Sequence, residues 1–148
     1  MKRIVLLDAG PLGLVTNPKL SPQSTACNQW LQSLLLAGVH VMVPEITDYE
    51  VRRELLRARK KHGLRRLDDL AALVEYLPLT TAVMRDAAQL WAQIRQSGQP
   101  TADRHALDGD VILAAQARSI PVDNVMVATT NVGHLTRLVS AALWTEIQ

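Results

Sequence analysis

Four carboxylates stand where apolar segments of the chain end or begin: Asp8 closes IVLLD, Glu50 lies early in ITDYEVRREL, and Asp108 with Asp110 opens LDGDVILAAQA. Hard oxygen ligands of this kind suit Mg²⁺ or Mn²⁺, and a divalent ion held by clustered acids serves phosphodiester hydrolysis. In an open parallel sheet the strand C-termini and the adjoining helix N-termini share one rim, so acids remote in sequence can converge there. Each acid also has a structural alternative. Asp8 could cap a short helix, and Glu50 could belong to a surface ion-pair ladder with Arg53 and Arg57, three and seven residues on. The same two guanidinium groups would suit the oxygens of an RNA phosphate. Asp108 and Asp110 bracket Gly109, and side chains two apart on a helix diverge, so one caps while the other coordinates. Asp110 is the candidate ligand and Asp108 the cap or supporting acid. Downstream, VMVATTNVGHL runs a strand into a polar turn, which brings Thr129, Thr130, Asn131 and His134 to the same rim as supporting groups.

These residues need a scaffold, and the apolar pattern supplies one. β-Branched runs at Ile4–Leu7, Val39–Val43 and Val125–Thr130 predict buried strands, with weaker candidates at Val74–Leu79 and Ala142–Ile147. Helical patterns cover Ser24–Ala37, Glu45–Lys61, Leu64–Leu73, Ala82–Ser97 and Leu107–Ser119, with Ser21, Thr47, Thr80 and Asp108 as candidate N-caps. In the second of these, Ile46, Tyr49 and Leu56 mark one packed stripe. Pro11, Pro18 and Pro22 interrupt the first connection, and Gly98 with Pro100 ends a helix. The order β-α-β-α-α-β-α-α-β-β implies an α/β layer fold.

At 148 residues the chain is expected to form one domain, 1–148, with a core that needs no staple. The single Cys27 has no partner within the chain, and no Cys/His spacing suggests zinc. Lys2 and Arg3 precede only four apolar residues, too few for a signal peptide, and no apolar run reaches membrane-spanning length, so a cytoplasmic protein is expected. The net charge of +2 conceals an asymmetry: residues 52–66 hold eight of the sixteen Lys/Arg and one acid, a local +7, which leaves −5 for the remainder. A polyanion could use both parts, cations for phosphates and carboxylates for a metal. Aromatic content of 3% with no Phe argues against an extensive base-stacking platform. Glycine-rich nucleotide fingerprints are absent.

With its motifs in this order, the chain resembles the PIN-domain family of metal-dependent ribonucleases, particularly the VapC-like toxins of bacterial toxin–antitoxin pairs. The resemblance spans almost the whole chain and rests on Asp8 in LLDAGPLG, Glu50 in PEITDYEVRREL and Asp110 in DGDVILAAQA, with a fourth, more variable position after ATTN. It implies a three-layer α/β/α sandwich around a mostly parallel sheet of about five strands. It also implies Mg²⁺ or Mn²⁺ held by Asp8, Glu50 and Asp110, a homodimer, and an antitoxin partner that blocks the site. Two departures stand out. Many relatives carry Asp at the position of Asn131 or an acid shortly after it, where this chain has His134, and the hydroxyl residue often found after the first Asp is Ala9.

The expectation is therefore hydrolysis of RNA phosphodiester bonds at a centre of three acids, with Arg53 and Arg57 on the phosphate. The alternative is a catalytically weakened PIN domain that binds RNA or a protein, motivated by the missing fourth acid. A phospho-accepting Asp8 is disfavoured because the lysines, Lys2, Lys19, Lys60 and Lys61, are absent from the later strands.

Overall fold

The computed structural model describes residues 3–98, 104–133 and 135–148, with backbone alone at 104–106. The run IVLL forms β1 (Ile4–Leu7), buried at every residue, as a strand covered on both faces must be. Asp8 caps the helix that follows, α1 (Ala9–Thr16), and its side chain accepts the Ala9 N–H. This helix realises the short-helix alternative for Asp8, although Pro11 reads as an interruption of the connection. Proline in a first turn forfeits no hydrogen bond, since that N–H has no partner within the helix. Next come α2 (Pro22–Leu36), β2 (His40–Pro44), α3 (Glu45–Arg57) and α4 (Lys61–Leu73). After these follow β3 (Glu75–Leu77), α5 (Thr81–Gln96), α6 (Arg104–Arg118), β4 (Val125–Thr129) and β5 (Ala141–Leu143). The expected last strand is shorter than predicted and passes into a 3₁₀ turn, Trp144–Glu146.

Ser21 and Thr80 cap as expected, by accepting the N–H groups of Ser24 and Val83. Two other expected caps are corrected. Thr47 lies inside α3, where its buried hydroxyl is within donating reach of the carbonyls of Leu7 (2.9 Å) and Pro44 (3.0 Å). Asp108 lies inside α6, which begins at Arg104, before the expected start. The stripe expected on α3 is also displaced. Ile46 is buried, but Tyr49 and Leu56 are 55% and 58% exposed, and the residues that pack inward are Thr47, Asp48 and Val51.

All five strands are parallel, in the order β3-β2-β1-β4-β5. Alternation along β1 sends Val5 and Leu7 to one face and Ile4 and Leu6 to the other. Leu12, Leu31, Val51 and Leu67, from α1, α2, α3 and α4, cover the first face. Leu113 and Ala117 of α6 cover the second, and α5 packs outside α6 through Val83, Ala87 and Leu90. Helices on both faces of a parallel sheet make the three-layer α/β/α sandwich. The chain leaves β1 towards β2 on one side and returns to β4 on the other, so the strand order reverses between β1 and β4, where a crevice opens at the carboxyl ends. No helix among the described residues is long and apolar enough to cross a membrane.

α3 starts without a side-chain cap of its own. The buried Gln116 of α6 compensates, accepting the Ile46 N–H through Oε1 and donating Nε2–H to the Leu77 carbonyl. One amide thus fixes α6 against both α3 and the end of β3. Gln116→Leu should leave two buried backbone groups without partners and lower stability by about 2 kcal/mol or more, read as a lower urea midpoint at unchanged slope.

Candidate functional site

The crevice at the reversal of strand order holds Asp8. Its Oδ1 accepts the Ala9 N–H at 2.8 Å, and its Oδ2 accepts the hydroxyl of Thr129, the last residue of β4, at 2.7 Å. These bonds fix the orientation of the carboxylate, with lone pairs left on each oxygen. Thr129 is itself buried and accepts the Asn131 N–H, which tightens the turn after β4. Thr130 points the other way and is exposed, its side chain lying against Gly10. A Cβ on Gly10 would come 2.3 Å from Thr130 Oγ1, so only glycine lets α1 start this close to the end of β4.

Glu50 reaches the crevice from the middle of α3. The Thr47 hydroxyl one turn earlier holds α3 to Leu7, the residue before Asp8, and so sets Glu50 relative to Asp8. Glu50 is half-buried, and its carboxyl is raised above its ordinary value of 4.5, first by burial, then by the charge on Asp8 and by that on Asp110; Arg53 acts in the opposite direction. Glu50 is thus within electrostatic reach of both Asp8 and Asp110. Among the described residues no group of three or more His, Cys, Asp or Glu side chains is placed to hold a metal ion.

Gly109 explains how Glu50 fits. It sits mid-helix in α6, where glycine is unfavourable by roughly 0.5–1 kcal/mol relative to alanine, and a Cβ there would lie 2.9 Å from Glu50 Oε2. The missing side chain is a recess for the carboxylate of α3. Asp110, half-buried, follows it on α6. Asp108 diverges, as positions two apart must; it is exposed and borders a groove between α5 and α6 with Met84, Trp91 and Val111.

The remaining candidates divide. The Arg53 guanidinium lies 5.1 Å from the Tyr49 ring centre while also acting on Glu50. Arg57 is held by Glu54 at 2.8 Å and lines the same groove as Glu50. The Asn131 side chain accepts the Gly133 N–H through Oδ1 and so shapes its own turn. His134 lies outside the described residues. Sequence reasoning passed over Asp48, which is buried and accepts from Arg52 at 3.0 Å and from the Tyr76 hydroxyl at 2.9 Å. Because Arg52 also pairs with Asp68, this set joins α3, α4 and β3 and braces the helix that carries Glu50.

The fold is shared with solved structures. A chain of VapBC2 from Rickettsia felis, in a crystal structure bound to a DNA fragment from their promoter, matches with a TM-score of 0.73 and 16% identity over 95% of this chain and 98% of that one. VapBC-1 from nontypeable Haemophilus influenzae gives 0.68 at 15% identity, covering 97% and 99%. FitAcB from Neisseria gonorrhoeae gives 0.66 at 23% identity, with the same coverage. The three-layer, all-parallel sheet is thus the PIN-like sandwich that the sequence resemblance implied. No protein-family model matches the sequence, and no curated protein matches it.

Two outcomes follow from the packing of Glu50. Gly109→Ala should keep or raise the thermal midpoint, since only the end of a flexible side chain must move, while weakening Mn²⁺ binding about 10-fold in a calorimetric titration. Glu50 binds its proton more tightly folded than unfolded, so in metal-free protein stability should fall as pH rises from about 4.5 through the raised folded value. Above that value the loss is complete. Urea midpoints measured in chelator across this range should slope less in Glu50→Gln than in the parent.

Proposed function

We propose that this chain is a metal-dependent endoribonuclease of the VapC-like PIN type, the toxin of a toxin–antitoxin pair. One observation carries the reading: Glu50, seated in the glycine recess of α6, shares its electrostatic surroundings with Asp8 and Asp110 where β1 and β4 diverge. Their all-oxygen donor set fits Mg²⁺ or Mn²⁺, and the recess keeps a carboxylate in place that burial alone would disfavour. When bound, the ion would offset the repulsion among the three acids and supply the Lewis acidity for in-line attack of water on phosphorus. The protein's own groups do the positioning. Thr129 and the Ala9 N–H orient Asp8, Gly109 admits Glu50, and Arg53 stands beside Glu50 where a phosphate oxygen would arrive. Hydrolysis in this geometry would leave a 5′-phosphate and a 3′-hydroxyl.

The likeness to chains of VapBC and FitAcB structures supports an antitoxin as cognate partner. The proposal extends to a homodimer acting on RNA in the cytoplasm. A second reading, a PIN domain that binds RNA or protein with weakened catalysis, draws on Asn131, whose side chain serves the local turn in place of a fourth acid. Mn²⁺ titration separates the two, because the weakened module would bind no metal at millimolar concentration.

Asp8→Asn and Asp110→Asn should each lower RNA cleavage in Mg²⁺ on the order of 100-fold or more, with the circular dichroism spectrum unchanged. Cleavage by Asp8→Asn at the parental rate would sink the nuclease reading.

A further inference from the structure

A groove of about 410 Å³ runs between α1 and α3, with Glu50, Glu54, Arg57 and Lys60 along its α3 side. A second depression of about 390 Å³ shares Pro18, Ala58 and Lys60 with the first and adds Arg59, Lys61 and His62. The two form one channel from Glu50 to the elbow where α3 gives way to α4. At 1.5 Å per residue, Glu50 and Arg57 lie roughly 10 Å apart along α3.

The elbow is cationic and unneutralised. Arg59, Lys60, Lys61 and Arg65 are exposed and enter no ion pair among the described residues. Glu54 is engaged by Arg57 and Asp68 by Arg52, which leaves Asp69, one turn after Arg65 on α4, as the exposed acid beside the elbow. The elbow is also fixed in place. Arg66 donates to the Val15 carbonyl near the end of α1, and a Cβ on Gly63 would come 2.7 Å from Leu55, so α4 starts hard against α3.

The backbone adds an independent observation. α3 ends in a Schellman motif: the Arg59 N–H donates to the Leu56 carbonyl at 3.1 Å and the Lys60 N–H to the Leu55 carbonyl at 2.8 Å. This sets residue 59 at φ +55°, the one positive value among described non-glycine residues. Glycine is what such a position favours. An arginine here is unfavourable for the backbone and needs another reason, which an anionic ligand provides.

We propose that Arg59, Lys60 and Lys61, continued by Arg57 in the groove, bind the phosphate backbone of the single-stranded RNA whose scissile bond lies at Asp8, Glu50 and Asp110. The inference rests on the nuclease reading and adds the track of the substrate. Charge selects RNA over an acidic peptide, since the channel reaches Glu50, on which the charges of Asp8 and Asp110 also act. A peptide carboxylate would be repelled there, whereas a phosphodiester can share their metal ion.

The test uses the full chain carrying Asp8→Asn, in Mg²⁺, with fluorescein-labelled single-stranded RNA followed by anisotropy. Replacing Arg59 by Gly and Lys60 and Lys61 by Ala should weaken binding about 10-fold or more and reduce the slope of log affinity against log salt by about 2, near 0.7 for each phosphate no longer neutralised. Arg85→Ala, on α5, should do neither. Arg59→Gly alone should weaken binding while keeping or raising the thermal midpoint, a pairing of signs that a structural role would not give. RNA binding by the parent that the triple substitution leaves intact overturns the track and spares the nuclease reading. Failure of the parent to bind RNA at any salt overturns both. Polyglutamate bound as tightly as RNA, and released by the same substitutions, makes the elbow a protein-docking surface and overturns the proposal.

Discussion

Burial of the Glu50 carboxyl beside the charges of Asp8 and Asp110 is the constraint around which this site is arranged. Burial first, and then the charges on Asp8 and Asp110, raise the affinity of Glu50 for its proton. A fold keeps such an arrangement only when every neighbour is braced. Thr129 and the Ala9 N–H brace Asp8, the Thr47 hydroxyl ties the helix of Glu50 to β1, and Gln116 ties the helix of Asp110 to α3 and the end of β3. Each brace crosses between elements, so the site is a property of the packing of helices on strands.

Glycine sets the clearance. Gly10 lets α1 start against the end of β4, and Gly109 lets α3 press its carboxylate into α6. Both are unfavourable for the helices they occupy and useful for what approaches them. Arg59 is the converse: a bulky cation stands where the backbone would favour glycine. Local preferences are overridden at the acids and at the cationic elbow, and elsewhere the chain largely follows them.

Much of the scaffold was legible because apolar runs declare buried parallel strands. Ile4–Leu7 matched residue for residue, and the others shifted by one to a few positions. The order of the acids was equally plain. What escaped is tertiary. Pro11 left α1 as no more than an alternative to the metal-ligand reading of Asp8, since a proline in a first turn and one that breaks a connection look alike in sequence. Tyr49 and Leu56 suggested the wrong stripe of α3, because the inward face was decided by Thr47 and Asp48, polar residues that find partners on neighbouring elements. Thr129, the last residue of β4, turns its hydroxyl to Asp8, whereas Thr130, just past the strand, lies against Gly10. Gly109 was visible as a residue, yet its purpose belongs to a side chain 59 positions earlier.

The central position of β1 has a consequence for synthesis. Its partners are β2, made soon afterwards, and β4, whose residues Val125–Thr129 come late in translation. Until that stretch leaves the ribosome, one edge of the most buried strand stays open and Asp8 lacks the threonine that orients it. Before β4 is made, the nascent chain is open to edge-to-edge association along β1.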